Sequence, residues 1–306
     1  MKMLITAVGR RVQLVRHFKK YFEVIGADCS NLAPASYFTD CFFVVPFCLD
    51  PGYKKAIIDI CIKENVDLVI SVHDQECMVL DDIRNELRKL GVLLMLPDKK
   101  VLDICNDKLE TYKFFVENGI DSPESCLKPN EVSSGFPLFI KPRVGMGSQH
   151  SYKISTKEEL DFYYSRIHNP IIQSYIEGTE YTLDCICDND SQVISVVPRM
   201  RIEVKAGEVQ KSKTVNDMQI IQKGKEICEK LGYKGPLTIQ CFKAGTGEIL
   251  FTEINPRMGG GVPLTFEAGV EYGRIFADMV SGRKVEPIIG NFKELTMLRY
   301  DEAVFI

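Results

Sequence analysis

The stretch FTEINPRMGG, residues 251–260, sets an acid, an amide and a guanidinium at alternate positions, Glu253, Asn255 and Arg257, and then runs into glycines. In an extended strand alternate side chains share a face, so Glu253 and Asn255 project together. Magnesium takes oxygen ligands, commonly a carboxylate or two completed by phosphate oxygens and water, and a Glu with an Asn amide oxygen offers part of that set. The preceding strand, GPLTIQCFKA, carries Gln240, and a hairpin turning near Thr246 brings it within about one residue of opposite Glu253. Arg257, just past the strand, is a fork of donors suited to a transferring phosphoryl group. Glycines 259–261 are expected to leave room for a substrate against the backbone. Taken alone, the motif has a plainer reading: a strand end with solvated polar groups and an Asn-Pro turn.

The rest of the chain decides between these readings. Its 306 residues, 45% hydrophobic and 26% charged, are enough for about two domains with their own cores. A net charge of -4 without runs of one sign gives no electrostatic case for nucleic acid or an anionic membrane, so small molecules are the expected partners. Eleven scattered cysteines and no signal-like start argue against a disulfide framework and for a reducing, cytoplasmic compartment. Cys185 and Cys187 share a strand face, but one such pair supplies at most half of a zinc site, and a structural role is preferred. The longest apolar stretches are strand-sized, which excludes a membrane-spanning helix.

Residues 1–97 alternate apolar runs (MLITAV, FEVIGA, FFVV, DLVISV, VLLMLP) with helical patterns, including one long helix over DQECMVLDDIRNELRKLG, and predict a doubly wound parallel sheet. Its first turn, AVGRRVQ, has one glycine where a dinucleotide fingerprint needs three, so nicotinamide binding is disfavoured and Asp28 reads as a turn or cap residue. Arg10 and Arg11 are either solvated helix-start residues, the preferred reading, or reach an anionic substrate group. His73, Asp74 and Glu76 follow the DLVISV strand at the sheet end where ligands bind, although Asp74 is equally placed to be an N-cap. Residues 98–172 open with two helices and then FPLFIKPRVGMGSQHSYKIS, two strands joined by a glycine loop whose N–H groups can face phosphate oxygens. Residues 173–306 are mostly antiparallel strands with a helix near 216–231 and two closing helices.

With Lys108 and Lys141 placed around that glycine loop, the ordered set of motifs resembles the ATP-grasp superfamily, and within it the carbamoyl-phosphate-synthase-like carboxylate-amine ligases. The resemblance implies an α/β and α+β architecture: an N-terminal doubly wound parallel sheet (the pre-ATP-grasp domain, 1–97), then a mobile lid subdomain with its preceding helices (98–172), and an antiparallel C-terminal subdomain with the metal site (173–306). It implies that Lys108 and Lys141 bind ATP phosphates and that Gly145, Gly147 and Ser148 belong to the flexible loop. Gln173, Ser174, Tyr175 and Ile176 would meet the adenine, Glu180 the ribose, and Gln240, Glu253 and Asn255 magnesium or manganese. Arg257 would contact phosphate, and Arg201, with Arg199, would orient the substrate; an edge-strand ion pair is the structural alternative for those two arginines. The hinge departs from the family pattern in having Gln173 where an acid is common, and only one grasp unit is present, which argues against a complete synthase. The implied activity is ATP- and metal-dependent joining of a carboxylate to an amine, through an acyl phosphate. A kinase or carbamate-type phosphotransferase and a non-catalytic ATP-binding module are the alternatives. Lys211 and Lys213 read as a polar, lid-like loop, and the oligomeric state, homodimer included, is open.

Overall fold

In the computed structural model, which describes residues 1–147 and 149–306, the alternating N-terminal segments build a parallel sheet. It is formed by β1 (Lys2–Thr6), α1 (Val12–Phe18), β2 (Glu23–Asp28), β3 (Cys41–Val44), α2 (Tyr53–Glu64), β4 (Leu68–Ser71), α3 (Asp74–Asp81), α4 (Arg84–Lys89) and β5 (Leu93–Leu94). The strand order is β3-β2-β1-β4-β5, with every neighbour parallel. Strands covered on both faces become unbroken apolar runs, which is why LVIS of β4 stands out in the sequence. The one long helix expected after β4 is two. Arg84 at the start of α4 binds Asp81 at 2.6 Å and the carbonyls of Leu96 and Pro97 at 3.1 and 2.6 Å, and these tertiary bonds outweigh a continuous helical period.

Next come α5 (Lys99–Asn106) and α6 (Lys108–Glu117). Asp107 between them caps α6 by accepting the Leu109 N–H at 2.9 Å and also receives Arg143 Nε at 2.6 Å. A four-stranded sheet in the order β6-β9-β7-β8 follows, from β6 (Ser125–Cys126), β7 (Leu138–Pro142), β8 (Tyr152–Ile154) and β9 (Pro170–Ser174), with α7 (Lys157–Tyr164) packed on it.

The last sheet is antiparallel, in the order β14-β13-β10-β11-β12-β15. Its elements are β10 (Gly178–Cys187), β11 (Val193–Lys205), β12 (Glu208–Thr214), α8 (Met218–Leu231), β13 (Gly235–Ala244), β14 (Ile249–Asn255), α9 (Pro263–Glu267), α10 (Tyr272–Val280) and β15 (Thr296–Leu298). Lys211 and Lys213, expected in a polar loop, lie instead in β12, paired with β11 on one side and β15 on the other. The inward face of β12 carries the hydroxyls of Ser212 and Thr214, which donate to Met200 O and Lys293 O at 2.9 and 2.8 Å, so apolar alternation is missing although the strand is there.

One face of the parallel sheet is filled by Ile57, Leu80, Leu87 and Leu102. The other shares a single core with the antiparallel part, where Leu14 and Phe18 meet Ile186, Ile194, Phe266 and Phe276. His17 seals this joint: its ring stacks on Phe266 at 3.9 Å, its Nε2 accepts the Gly273 N–H at 3.1 Å, and burial lowers its pKa to about 4, keeping it neutral. Cys185 and Cys187 are buried with α8 residues in a further core, and among the described residues there is no cluster of His, Cys, Asp and Glu of metal-binding type. No helix among them is long and apolar enough to cross a membrane.

Candidate active site

The three sheets enclose a cavity of about 830 Å³. On its floor β13 and β14 set Gln240 directly across from Glu253 and Thr238 across from Asn255. A bulge at Thr252, which has no opposite residue between the Gln240–Glu253 and Cys241–Phe251 pairs, accompanies this register. Gln240, Glu253 and Asn255 all line the cavity. Lys141 enters from β7, nearly buried, and its Nζ donates to Glu253 Oε1 at 2.9 Å. Lys108, the first residue of α6, donates to Gly145 O at 3.0 Å in the β7–β8 loop. Burial pushes the Glu253 carboxyl up, but the charges of Lys141 and Lys108 outweigh it and hold its pKa at about 2. Burial in turn lowers Lys108.

At the far wall, Gln173 ends in a hydrogen bond from Nε2 to Ser125 Oγ at 2.7 Å. The N–H groups of Ser174 and Tyr175 donate to Glu124 O and Pro137 O at 2.9 and 3.3 Å, so these two amides of the expected adenine edge are committed within the protein. Ser174, Tyr175 and Ile176 nonetheless line the cavity, and Lys153 Nζ sits 4.2 Å over the Tyr175 ring. Glu180 of β10 binds Arg201 of β11, whose Nη2 also reaches Gly207 O at 3.1 Å. Arg201 thus faces the Glu180 wall and the β11–β12 turn. The glycine loop closes onto that turn: a Cβ at Gly207 would stand 2.9 Å from the Gly147 carbonyl carbon. Ser148, expected in the same loop, lies outside the described residues.

The end of the cavity next to the parallel sheet differs most from expectation. Arg257 donates through Nε and Nη2 to Asp74 Oδ2 at 3.1 and 2.8 Å; burial lowers its pKa, and the Asp74 carboxylate more than reverses that. Asp74 is therefore the partner of Arg257, while His73 holds the N-cap position of α3 without a side-chain capping bond. Glu76 turns away into the core, bound by Ser71 Oγ at 2.8 Å. Asp28 accepts the Gly9 and Ser30 N–H groups, both at 2.9 Å, and is a turn residue. Arg199 belongs to an interior strand, not an edge, and is bidentate to Asp184 at 2.6 and 2.9 Å. Arg11, expected to be solvated, packs into the cavity wall with Nη2 3.3 Å from Glu208 Oε1. Glycines 259–261 line the cavity and also make room for these arginines: a Cβ at Gly260 would lie 2.6 Å from Arg11 Nη1 and one at Gly261 2.3 Å from Arg199 Nη1. The pairing of Arg257 with Asp74 and the roles of Arg11 and Glu208 had one sequence signal, the position of the GRR turn at the ligand end of a parallel sheet.

Arg11 Nη1, His73 Nδ1, Asp74 Oδ1, Arg199 Nη1, Arg201 Nε and Asn255 Nδ2 are buried without a hydrogen-bond partner among the described residues, and all six belong to residues lining this cavity. A buried polar atom left unpaired costs about 1–3 kcal/mol, so their convergence marks a place shaped for a polar occupant. The oxygens of Gln240, Glu253 and Asn255 suit a hard divalent cation whose remaining ligands come from phosphates and water.

Residues 105–261 match the family model described as the ATP-grasp domain. The chain belongs to the ATP-grasp domain family. Ahead of that ATP-grasp region, residues 3–95 match the PylC-like, N-terminal domain. The ATP-grasp chain is similar to a carbamoyl phosphate synthase large chain of Caldanaerobacter subterraneus, 25% identical over 228 residues, 67% of this chain and 21% of that protein. It is also similar to a D-alanine–D-alanine ligase of Fusobacterium nucleatum, 26% identical over 205 residues, 61% of this chain and 71% of the ligase. Among solved structures, the biotin carboxylase domain of the Hydrogenobacter thermophilus 2-oxoglutarate carboxylase, in complex with MgADP and bicarbonate, superposes with a TM-score of 0.77 at 15% identity, covering 93% of this chain and 71% of that one. The chain spans about a fifth of the length of the carbamoyl phosphate synthase large chains it matches.

Proposed function

We propose that this protein is an ATP- and magnesium-dependent ligase that joins a carboxylate to an amine. The observation that carries the reading is the ionised Glu253, set opposite Gln240, two residues from Asn255, and flanked by Lys141 and Lys108 in one cavity. Carbamoyl phosphate synthase and D-alanine–D-alanine ligase relatives support the same class. Gln240, Glu253 and Asn255 would hold magnesium, which supplies Lewis-acid charge at the phosphates. Lys108 and Lys141 offset phosphate charge, and the buried Asn255 Nδ2 offers a donor to an acceptor oxygen there. A substrate carboxylate oxygen attacks the γ-phosphorus and ADP leaves; the amine then attacks the acyl carbon and inorganic phosphate departs. Arg257, oriented by Asp74, stabilises charge on the transferring phosphoryl group. The Gly145–Gly147 loop against Gly207 keeps water from the acyl phosphate.

Magnesium-dependent ADP release, measured with panels of carboxylic acids and amines with and without hydroxylamine, tests the proposal. A hydroxamate is the expected product. A stable phosphorylated acceptor without hydroxamate would replace the ligase by the phosphotransferase, and no ATP binding in calorimetry would remove both.

A further inference from the structure

Lys141 and Lys108 reach the cavity from different parts of the molecule. Lys141 stands in β7 of the four-stranded sheet, whereas Lys108 opens α6, a helix whose Phe115 ring lies 6.2 Å from Phe251 of the floor strand β14. A shift of that sheet against α6 would change the spacing of the two ammonium groups.

One ion pair crosses this joint next to both lysines. Arg143, two residues after Lys141, donates through Nε to Asp107 Oδ1 at 2.6 Å, and its Nη2 lies 2.6 Å from Oδ2 of the same carboxylate. Asp107 is the residue before Lys108. The backbone follows the same path: the Lys108 N–H donates to Arg143 O at 3.2 Å, and the Arg143 N–H donates to Asn169 O, just ahead of β9, at 2.9 Å. Two parallel bonds between a guanidinium and a carboxylate fix direction as well as distance, which a single ammonium cannot do. Burial raises the Asp107 carboxyl, but Arg143 and the Leu109 N–H outweigh it and lower its pKa, while the bond to Asp107 raises that of Arg143. Both partners therefore stay charged at neutral pH. Capping α6 needs only the Leu109 bond, which an Asn would supply as well, so the fork to Arg143 serves the joint between sheet and helix and not the helix itself. Neither Arg143 nor Asp107 is among the residues lining the cavity.

We propose that Arg143 and Asp107 are positioning residues whose ion pair sets the spacing of Lys141 and Lys108, so that both ammonium groups meet one polyphosphate together. The inference rests on the ligase reading for ATP as the occupant, and it assigns a role to two residues that touch no substrate themselves.

Calorimetric titration of the full chain with MgATP and with adenosine tests it. Asp107→Asn keeps a helix cap and removes the charge that Arg143 grips; Arg143→Lys keeps the charge and removes the fork. Each is expected to weaken MgATP binding about tenfold, the size of one charge-assisted hydrogen bond, while adenosine, which carries no phosphate, stays within about twofold of the parent. The double variant is expected to bind MgATP within about twofold of either single one, because the pair acts as a unit. MgATP affinity unchanged in both single variants, adenosine weakened as much as MgATP, or losses that add in the double variant would each overturn the clamp. A parent chain that binds no MgATP removes the ligase reading and the clamp's ligand with it, whereas a parent that binds it beside unaffected variants removes the clamp alone.

Discussion

Two glutamates, Glu76 in the core and Glu253 half-buried on the cavity floor, show how differently this fold uses the same residue. Glu76 sits under the parallel sheet with hydroxyl neighbours; burial raises its pKa, and the hydrogen bonds from Thr6 and Ser71 do not offset that. Glu253 sits on the antiparallel floor, where burial acts in the same direction but Lys141 and Lys108 reverse it, to about 2. Neutral partners make a buried acid a piece of scaffold, whereas cationic partners keep it as a charge available to a ligand.

The contrast breaks most visibly in turnover. Glu253→Gln is expected to lower magnesium-dependent ADP formation by about a hundredfold or more, as loss of a main electrostatic group does, while Glu76→Gln stays within about twofold; steady-state assays of both variants check this. Lys141→Met is expected to weaken ATP binding about tenfold in calorimetry, through loss of a charge-assisted contact.

Thermal melts against pH sharpen the comparison further. The raised pKa of Glu76 means the folded state holds its proton where the unfolded chain, near about 4.3, has lost it; stability from Glu76 is full below that value and falls as pH rises toward the folded pKa. Glu253 has the opposite sign: its contribution, up to roughly 3 kcal/mol, is present above about 4.3 and is lost as pH falls toward about 2. The melting deficit of Glu253→Gln should therefore be largest at neutral pH and shrink on acidification. Glu76→Gln should match the parent in acid and equal or exceed it at neutral pH. Parallel curves for the two variants would erase the distinction. The smallest effect is expected at the hinge, where Gln173→Glu restores the acid common in the family and should change ATP affinity by no more than about threefold, the Ser125 hydroxyl, which accepts from Gln173 Nε2 at 2.7 Å and donates to Pro123 O at 2.9 Å, turning its proton to the carboxylate instead.

The β13–β14 register and the parallel sheet were legible because both rest on short-range rules: a hairpin turn fixes which residues oppose each other, and doubly covered strands are apolar throughout. Strand β12 was not legible, since hydroxyls that find backbone carbonyls can fill an inward face without any hydrophobic signal. The split between α3 and α4 depends on carbonyls of residues 96 and 97, beyond any local window. In the site, residues sharing a strand could be grouped from sequence, but the guanidiniums behind Gly260 and Gly261 come from residues 11 and 199, and no spacing rule links positions that far apart.

The apolar joint in which Phe18 meets Phe266 and Phe276 has a thermodynamic corollary. Through it the N-terminal sheet and the grasp region share one buried core, so neither can unfold without exposing apolar surface of the other. Scanning calorimetry should then record a single peak for these regions, with van't Hoff and calorimetric enthalpies in agreement, and a nucleotide bound to one of them should lift the melting of both.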